Sequence, residues 1–96
     1  MAEKKYFECV VIANSPRDAF KLAKKDVSND YGNTSNTITA KESYLMTTYE
    51  TITDKIELRS IIKNSLDYAY PHIHSPAGCI RISNKPKTYI FYGYVK

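Results

Sequence analysis

The chain has few of the residues that catalysis and cofactor binding usually require. Its 96 residues include three glycines, two cysteines and no tryptophan. The phosphate-binding strings G-x-x-x-x-G-K-[ST] and G-x-G-x-x-G and the nucleophile string G-x-S-x-G are all absent from the sequence. Three scattered glycines cannot form a loop that wraps phosphates with bare backbone. The sequence therefore predicts a protein that is not an enzyme and that binds no cofactor.

Long hydrophobic runs are also missing. The longest apolar run spans residues 9–13, whereas roughly 20 apolar residues are needed to cross a bilayer. The charged start of the chain is not followed by the apolar core of a signal peptide. We therefore expect a cytoplasmic protein with no membrane partner.

The two cysteines, Cys9 and Cys79, are each followed directly by an aliphatic residue, Val10 and Ile80. Without a secretion signal, this pattern predicts reduced, buried thiols. In an extended segment His72 and His74 would project to the same side, and Cys79 could then supply a third metal ligand. The spacing matches no standard site and lacks a nearby fourth ligand, so we expect no metal. A small hydrolase built on the two histidines remains a further alternative.

Composition and length predict one folded domain spanning residues 1–96. The chain is 43% hydrophobic and 25% charged, close to the globular average. Residues 5–13 are rich in β-branched and aromatic residues and apolar on both faces, which predicts a central strand. Ser15 and Pro16 then begin a helix with a buried stripe at Ala19, Phe20 and Ala23, which should end near residues 31–32.

The second half predicts further strands around a second helix. Residues 38–52 form one strand or two, and we favour two. Asp54 caps a helix whose apolar residues recur at helical spacing from Leu58 onward. Residues 79–83 and 88–95 form a hairpin. The fold class is therefore α+β, an antiparallel sheet of four to five strands with two helices on one face, in the order β-α-β(β)-α-β-β. This arrangement is ferredoxin-like or related, and it leaves the other sheet face open.

Two groups of residues are candidates for partner binding. The net charge is +4, and residues 71–96 contain no Asp or Glu. The first group is a basic ridge on the first helix, where i, i+4, i+7 and i+8 spacing places its members on one side: Arg17, Lys21, Lys24 and Lys25. The second group lies on the C-terminal hairpin: Arg81, Lys85, Lys87, Tyr89, Tyr92 and Tyr94. The alternative is that the lysines serve solubility and the tyrosines simply suit half-buried strands.

The absence of enzyme motifs favours a function in binding, and tyrosine suits recognition surfaces. The leading prediction is a protein-binding regulator or inhibitor, with a protein or nucleoprotein complex as partner. In size, in Asn, Lys, Ile and Tyr content and in its lack of enzyme motifs, the chain resembles small accessory proteins of phages and mobile elements, including anti-CRISPR proteins. This resemblance is one of class and rests on no shared motif. Such a protein would act on a host complex that handles nucleic acid.

The alternative is direct nucleic-acid binding, with Lys and Arg on phosphates and tyrosines stacked on bases. The string typical of an RNA-recognition sheet is absent. The chain is expected to be a monomer or a homodimer, and a dimer would pair through the final hairpin if that hairpin lies at a sheet edge.

Overall fold

The computed structural model describes residues 4–31, residue 38 and residues 41–95; the side chains of residues 26–31 lie outside this description. Six elements follow one another: β1 (Lys5–Ile12), α1 (Pro16–Tyr31), β2 (Tyr44–Thr51), α2 (Lys55–Tyr68), β3 (Ala77–Asn84) and β4 (Lys87–Val95). The α+β class, with four strands and two helices, is confirmed. These counts are compatible with a ferredoxin-like arrangement without being specific to it.

The helices begin where their capping residues predict. Ser15 Oγ accepts a hydrogen bond from the Asp18 N–H at 3.1 Å, one turn into α1. The Asp54 carboxylate accepts from the N–H groups of Ile56 and Glu57 at 2.8 and 3.1 Å. Each side chain satisfies donors that have no partner within the helix.

The sheet has the strand order β1-β4-β3-β2. Strand β4 is antiparallel to both β1 and β3, whereas β2 runs parallel to β3. The sheet is therefore mixed, which differs from the antiparallel sheet that the sequence suggested. The reason is that α2 connects β2 to its neighbour β3 as a crossover helix, and such a connection joins parallel strands.

The two helices pack on opposite faces of the sheet, which also differs from the expectation of a single covered face. Ala19, Phe20 and Ala23 of α1 pack with Tyr89 and Phe91 of β4 in one core cluster. Leu58, Ile62 and Leu66 of α2 pack with Ile90 and Tyr92 in the other. Parallel crossovers are right-handed in nearly all sheets, so two crossovers that run in opposite directions across a sheet place their helices on opposite faces.

Strand β1 lies at an edge of the sheet, and the prediction of a central strand is therefore wrong. Its apolar residues divide between two environments. Phe7 is buried against α1, whereas Val10 and Ile12 on the other face are 59% and 62% exposed. In the described part of residues 38–52 there is one strand, β2, where we had favoured two.

Candidate functional site at the basic end of the sheet

The predicted basic ridge of α1 is divided between solvent and a structural contact. Arg17, Lys21 and Lys25 are exposed, whereas Lys24 is half-buried. Lys24 Nζ donates a hydrogen bond to the Lys41 carbonyl at 2.7 Å and lies 5.4 Å from the centroid of the Phe20 ring. Lys24 therefore holds α1 to the rest of the chain, and three ridge residues remain available to a partner.

The basic residues of the hairpin are divided in the same way. Lys85 and Lys87 are exposed at the turn between β3 and β4. Arg81 is half-buried, and its Nε donates to Thr51 Oγ1 at 2.7 Å. The Thr51 side chain in turn reaches Asn84 Oδ1 at 3.2 Å. Arg81 thus joins β3 to the end of β2, while the turn lysines face solvent.

Two of the three hairpin tyrosines belong to the core. Tyr89 is 2% exposed, beneath α1, and Tyr92 is 0% exposed, beneath α2. Tyr94 is half-buried, with its ring 6.3 Å from that of Tyr6 and 4.6 Å from Lys4 Nζ. The alternation predicted for this strand is present, but helices cover both of its faces. Tyr89 and Tyr92 are therefore removed from any surface that a partner contacts.

The fold brings exposed basic residues from three separate segments to one end of the sheet. The Ala13 N–H, just beyond β1, donates to the Lys87 carbonyl at 3.1 Å, which places the hairpin turn beside the start of α1. Lys21 lines a pocket with Ala13 and Asn14. Helix α2 also begins at this end, because β2 is parallel to β3 and its last residue reaches Asn84. We call this cluster the basic end: Arg17, Lys21, Lys55, Lys85 and Lys87.

The basic end keeps its positive charge in the described structure. The ion pair in the described part of the chain joins Arg59 to Glu8; it involves none of the five cations, although the pair lines a cavity together with Lys55. Two acidic residues lie nearby, Asp18 in the first turn of α1 and Asp54, whose carboxylate is occupied in capping α2. Both helix N-termini, with their partial positive charge, also point toward this end. The electrostatic field here therefore favours an anionic partner.

A second surface, which the sequence analysis missed, runs along β1. Two adjoining cavities of about 420 and 390 Å³ lie between β1 and α2, and Arg59 lines both. Its guanidinium donates to both carboxylate oxygens of Glu8 and thereby spans the groove. This ion pair holds the pKa of Glu8 below its usual value. The sequence signal was present as apolar residues on both faces of β1, but it was interpreted as burial on both sides.

Lys41 is a buried lysine that no sequence pattern indicated. It is 2% exposed, and its Nζ donates to the carbonyls of Ile73 and Ser75 at 2.9 and 2.7 Å. Desolvation by burial lowers the pKa of Lys41. The ammonium fixes the loop between α2 and β3, and a cavity of about 260 Å³ opens beside it.

The histidines and Cys79 do not converge. His72 and His74 are exposed in this loop, whereas Cys79 is 0% exposed in the core beneath α1. Burial raises the pKa of the Cys79 thiol to about 12, so the thiolate that metals and electrophiles require does not form near neutral pH. Among the side chains described, those of residues 4–25, 38 and 41–95, no three His, Cys, Asp or Glu are grouped to hold a metal ion.

Comparison with protein families, curated proteins and solved structures finds no match to this chain. None of the helices in the described part of the chain is both long enough and apolar enough to span a membrane. The function must therefore be inferred from the chain's own surfaces.

Proposed function

We propose that this chain is a small, non-enzymatic binding protein whose basic end contacts an acidic surface of a protein partner. In this proposal it is a regulator or inhibitor of a host complex that handles nucleic acid, of the anti-CRISPR-like type encoded by phages and mobile elements. The supporting observation is the convergence of five exposed cations from α1, the start of α2 and the hairpin turn. Carboxylates on a partner complement such a cluster, and the complementarity sets both register and association rate.

The burial of the hairpin tyrosines favours a protein partner over nucleic acid. Single-stranded nucleic acid is held by phosphate contacts together with aromatic rings on which bases stack. Tyr89 and Tyr92, which would have provided that platform, lie inside the core. The basic end therefore has the charges for phosphate contacts without the hairpin rings for stacking.

One observation favours the second candidate, direct nucleic-acid binding. Tyr49 is 86% exposed and stands two residues before the end of β2, the strand that leads into α2 at Lys55 and whose last residue contacts Asn84, next to Lys85. A base stacked on this ring would bring its phosphates toward those lysines. Such binding would weaken steeply as the salt concentration rises. On duplex DNA, each phosphate contact lowers log K by about 0.9 for every tenfold increase in salt concentration.

The test compares two double charge reversals that change the net charge equally. Arg17→Glu with Lys85→Glu alters the basic end, and Lys5→Glu with Lys63→Glu alters exposed lysines at the start of β1 and on α2. Each variant and the wild type is used to capture proteins from a nuclease-treated extract of the source cell, at low and high salt. The captured protein is identified by mass spectrometry, and its affinity is then measured with purified components.

We expect one protein to survive nuclease treatment, to be lost with the basic-end variant and to be retained by the matched control. Labelled single-stranded and duplex oligonucleotides are titrated in parallel. Recovery of nucleic acid alone, with the salt dependence given above and with loss of binding in Tyr49→Ala, would establish the second candidate instead. Equal loss in both charge variants would show that the basic end is not the contact surface.

A further inference from the structure

The outer side of β1 presents a row of backbone groups to solvent in the described structure. Strand β1 is the first strand of the sheet. The Ala13 N–H donates to the carbonyl of its counterpart Lys87, and in an antiparallel ladder every second residue faces the neighbouring strand. The odd-numbered residues of β1 therefore face β4. The even-numbered residues direct their N–H and C=O groups away from the sheet: Tyr6, Glu8, Val10 and Ile12.

Neither a bulge nor a proline interrupts this row in the described structure. The register between β1 and β4 is continuous from Lys5 to Ile12, without a bulge, and the strand contains no proline. Its outward residues include Val10 and Ile12, whose side chains are more than half exposed. A long, regular edge that exposes apolar side chains is a template for another strand.

We propose that this edge pairs with the same edge of a second copy, β1 to β1 in antiparallel order, about a twofold axis at Cys9. A twofold axis normal to the sheet keeps every side chain on its own face of the sheet. Two residues that lie opposite each other must then point to the same face, so the axis passes through a residue and not between two residues. The middle of β1 lies between Glu8 and Cys9, and these two positions give the fullest overlap. An axis at Glu8 would set two carboxylates opposite each other, which destabilises the pair. An axis at Cys9 opposes no like charges within the strand.

This register satisfies every outward residue of the strand. Tyr6 lies opposite Ile12 of the other copy, and Glu8 lies opposite Val10, so the four even-numbered residues of each strand exchange hydrogen bonds across the axis. The exposed apolar side chains of Val10 and Ile12 gain cross-strand neighbours. On the other face Cys9 lies opposite Cys9 of the second copy. The proposal uses β1 alone and does not rest on the function proposed for the basic end.

The first test uses two opposite charges at one position. In this register Val10 faces Glu8 of the other copy, so Val10→Glu creates two like-charge pairs and Val10→Lys creates two opposite-charge pairs. We expect sedimentation equilibrium to give the wild type twice the monomer mass of 11.0 kDa. Val10→Glu should raise the dissociation constant roughly tenfold, while Val10→Lys should leave it unchanged or lower it.

Both substitutions place a charged side chain at the same exposed position, so a general effect on folding would appear in both variants. An axis at Val10 would oppose position 10 to itself, and both variants would then weaken the dimer. A monomeric wild type, or equal weakening by the two substitutions, overturns the proposal.

The second test uses the native cysteine on the axis. Directly opposed residues in antiparallel strands have Cα atoms about 4.5 to 5.5 Å apart, within the range that a disulfide spans. Oxidised glutathione should therefore oxidise the two Cys9 thiols to an intermolecular disulfide in the wild type, and the cross-linked dimer is read on a non-reducing gel. Cys79→Ala should still form this dimer and Cys9→Ser should not. A dimer in solution that cannot be cross-linked through Cys9 places the interface elsewhere and overturns the proposal.

Discussion

The two edges of the sheet differ in the regularity of their ladders. The ladder between β1 and β4 is continuous over eight residues, whereas the ladder between β2 and β3 shifts register between Met46 and Thr51. Both edges expose apolar side chains, Val10 and Ile12 on β1 and Leu45 and Tyr49 on β2. An irregular edge discourages the addition of a strand, and a regular edge invites it. The two edges thus differ in how readily each accepts a further strand.

The β2 edge depends on side chains that reach it from elsewhere in the fold. The Tyr92 hydroxyl lies 2.5 Å from Thr47 Oγ1 of β2 and 2.6 Å from Ser65 Oγ of α2. Arg81 bonds to Thr51 at the end of the strand. Edge β2 is therefore held in place by buried and half-buried polar contacts, whereas β1 is held by its ladder, by Phe7 and by the ion pair between Glu8 and Arg59.

The largest loss of stability is expected from Gly78→Ala, which disturbs the contacts that hold β2. The Tyr92 ring lies over Gly78, and a Cβ there would sit 2.7 Å from the Tyr92 hydroxyl oxygen, too close for any contact. Either β3 or the ring must move, and the bonds to Thr47 and Ser65 are lost with it. We expect the free energy of unfolding in urea to fall by about 3 kcal/mol. In a Tyr92→Leu background the same change should cost much less, and additive losses would show that the ring is not the obstacle.

A smaller and more local effect is expected from Tyr92→Phe. The ring stays, but the hydroxyl that links β2 to α2 is removed, which should cost about 1–2 kcal/mol. Hydrogen exchange should accelerate at amides of β2 and remain nearly unchanged in β1. Equal acceleration at both edges would show that the hydroxyl stabilises the whole sheet and does not distinguish the two edges.

The smallest effect concerns the ion pair on the β1 side. Because Arg59 lowers the pKa of Glu8 in the folded chain, the ion pair contributes stability above the ordinary value of 4.5 and loses that contribution as the pH falls through the lower folded value. Glu8→Gln should therefore lower stability at pH 7 by a few tenths of a kcal/mol, since the pair is largely exposed, and have little effect at pH 2. Urea midpoints at the two pH values measure this, with Glu50→Gln on the β2 edge as the matched control. An equal effect of Glu8→Gln at both pH values would contradict it.

The local elements could be predicted from the sequence because their signals are local. Asp54 and Ser15 mark helix starts through side chains that bond within one turn, and periodicity identifies the buried stripes. The position of β1 could not be predicted, because an edge strand whose exposed face is apolar has the same pattern as a central strand. Tyr89 and Tyr92 are buried because helices cover both faces of the sheet. The face that each helix covers is set by the direction of its crossover connection, and the hairpin sequence carries no information about that direction.

Four members of the basic end were named as candidates from the sequence. Arg17, Lys21, Lys85 and Lys87 are exposed, but no sequence pattern places the two pairs together. Lys55 was missed because its position depends on β2 running parallel to β3. Lys24 and Arg81 resemble the other basic residues in sequence, and only long-range contacts show that they bond within the fold.

Lys41 also affects the order in which the chain acquires its structure. The loop between α2 and β3 contains Pro71 and Pro76, which lack an N–H, and the Lys41 ammonium binds two of its carbonyls. These contacts span 32 and 34 residues of sequence, so the loop cannot reach its final shape from local interactions. Contacts across such separations form after more local ones, because the intervening chain must first be closed. The loop is therefore expected to settle after the helices, whose hydrogen bonds are local, and ahead of the β1–β4 ladder, which joins residues much farther apart in sequence.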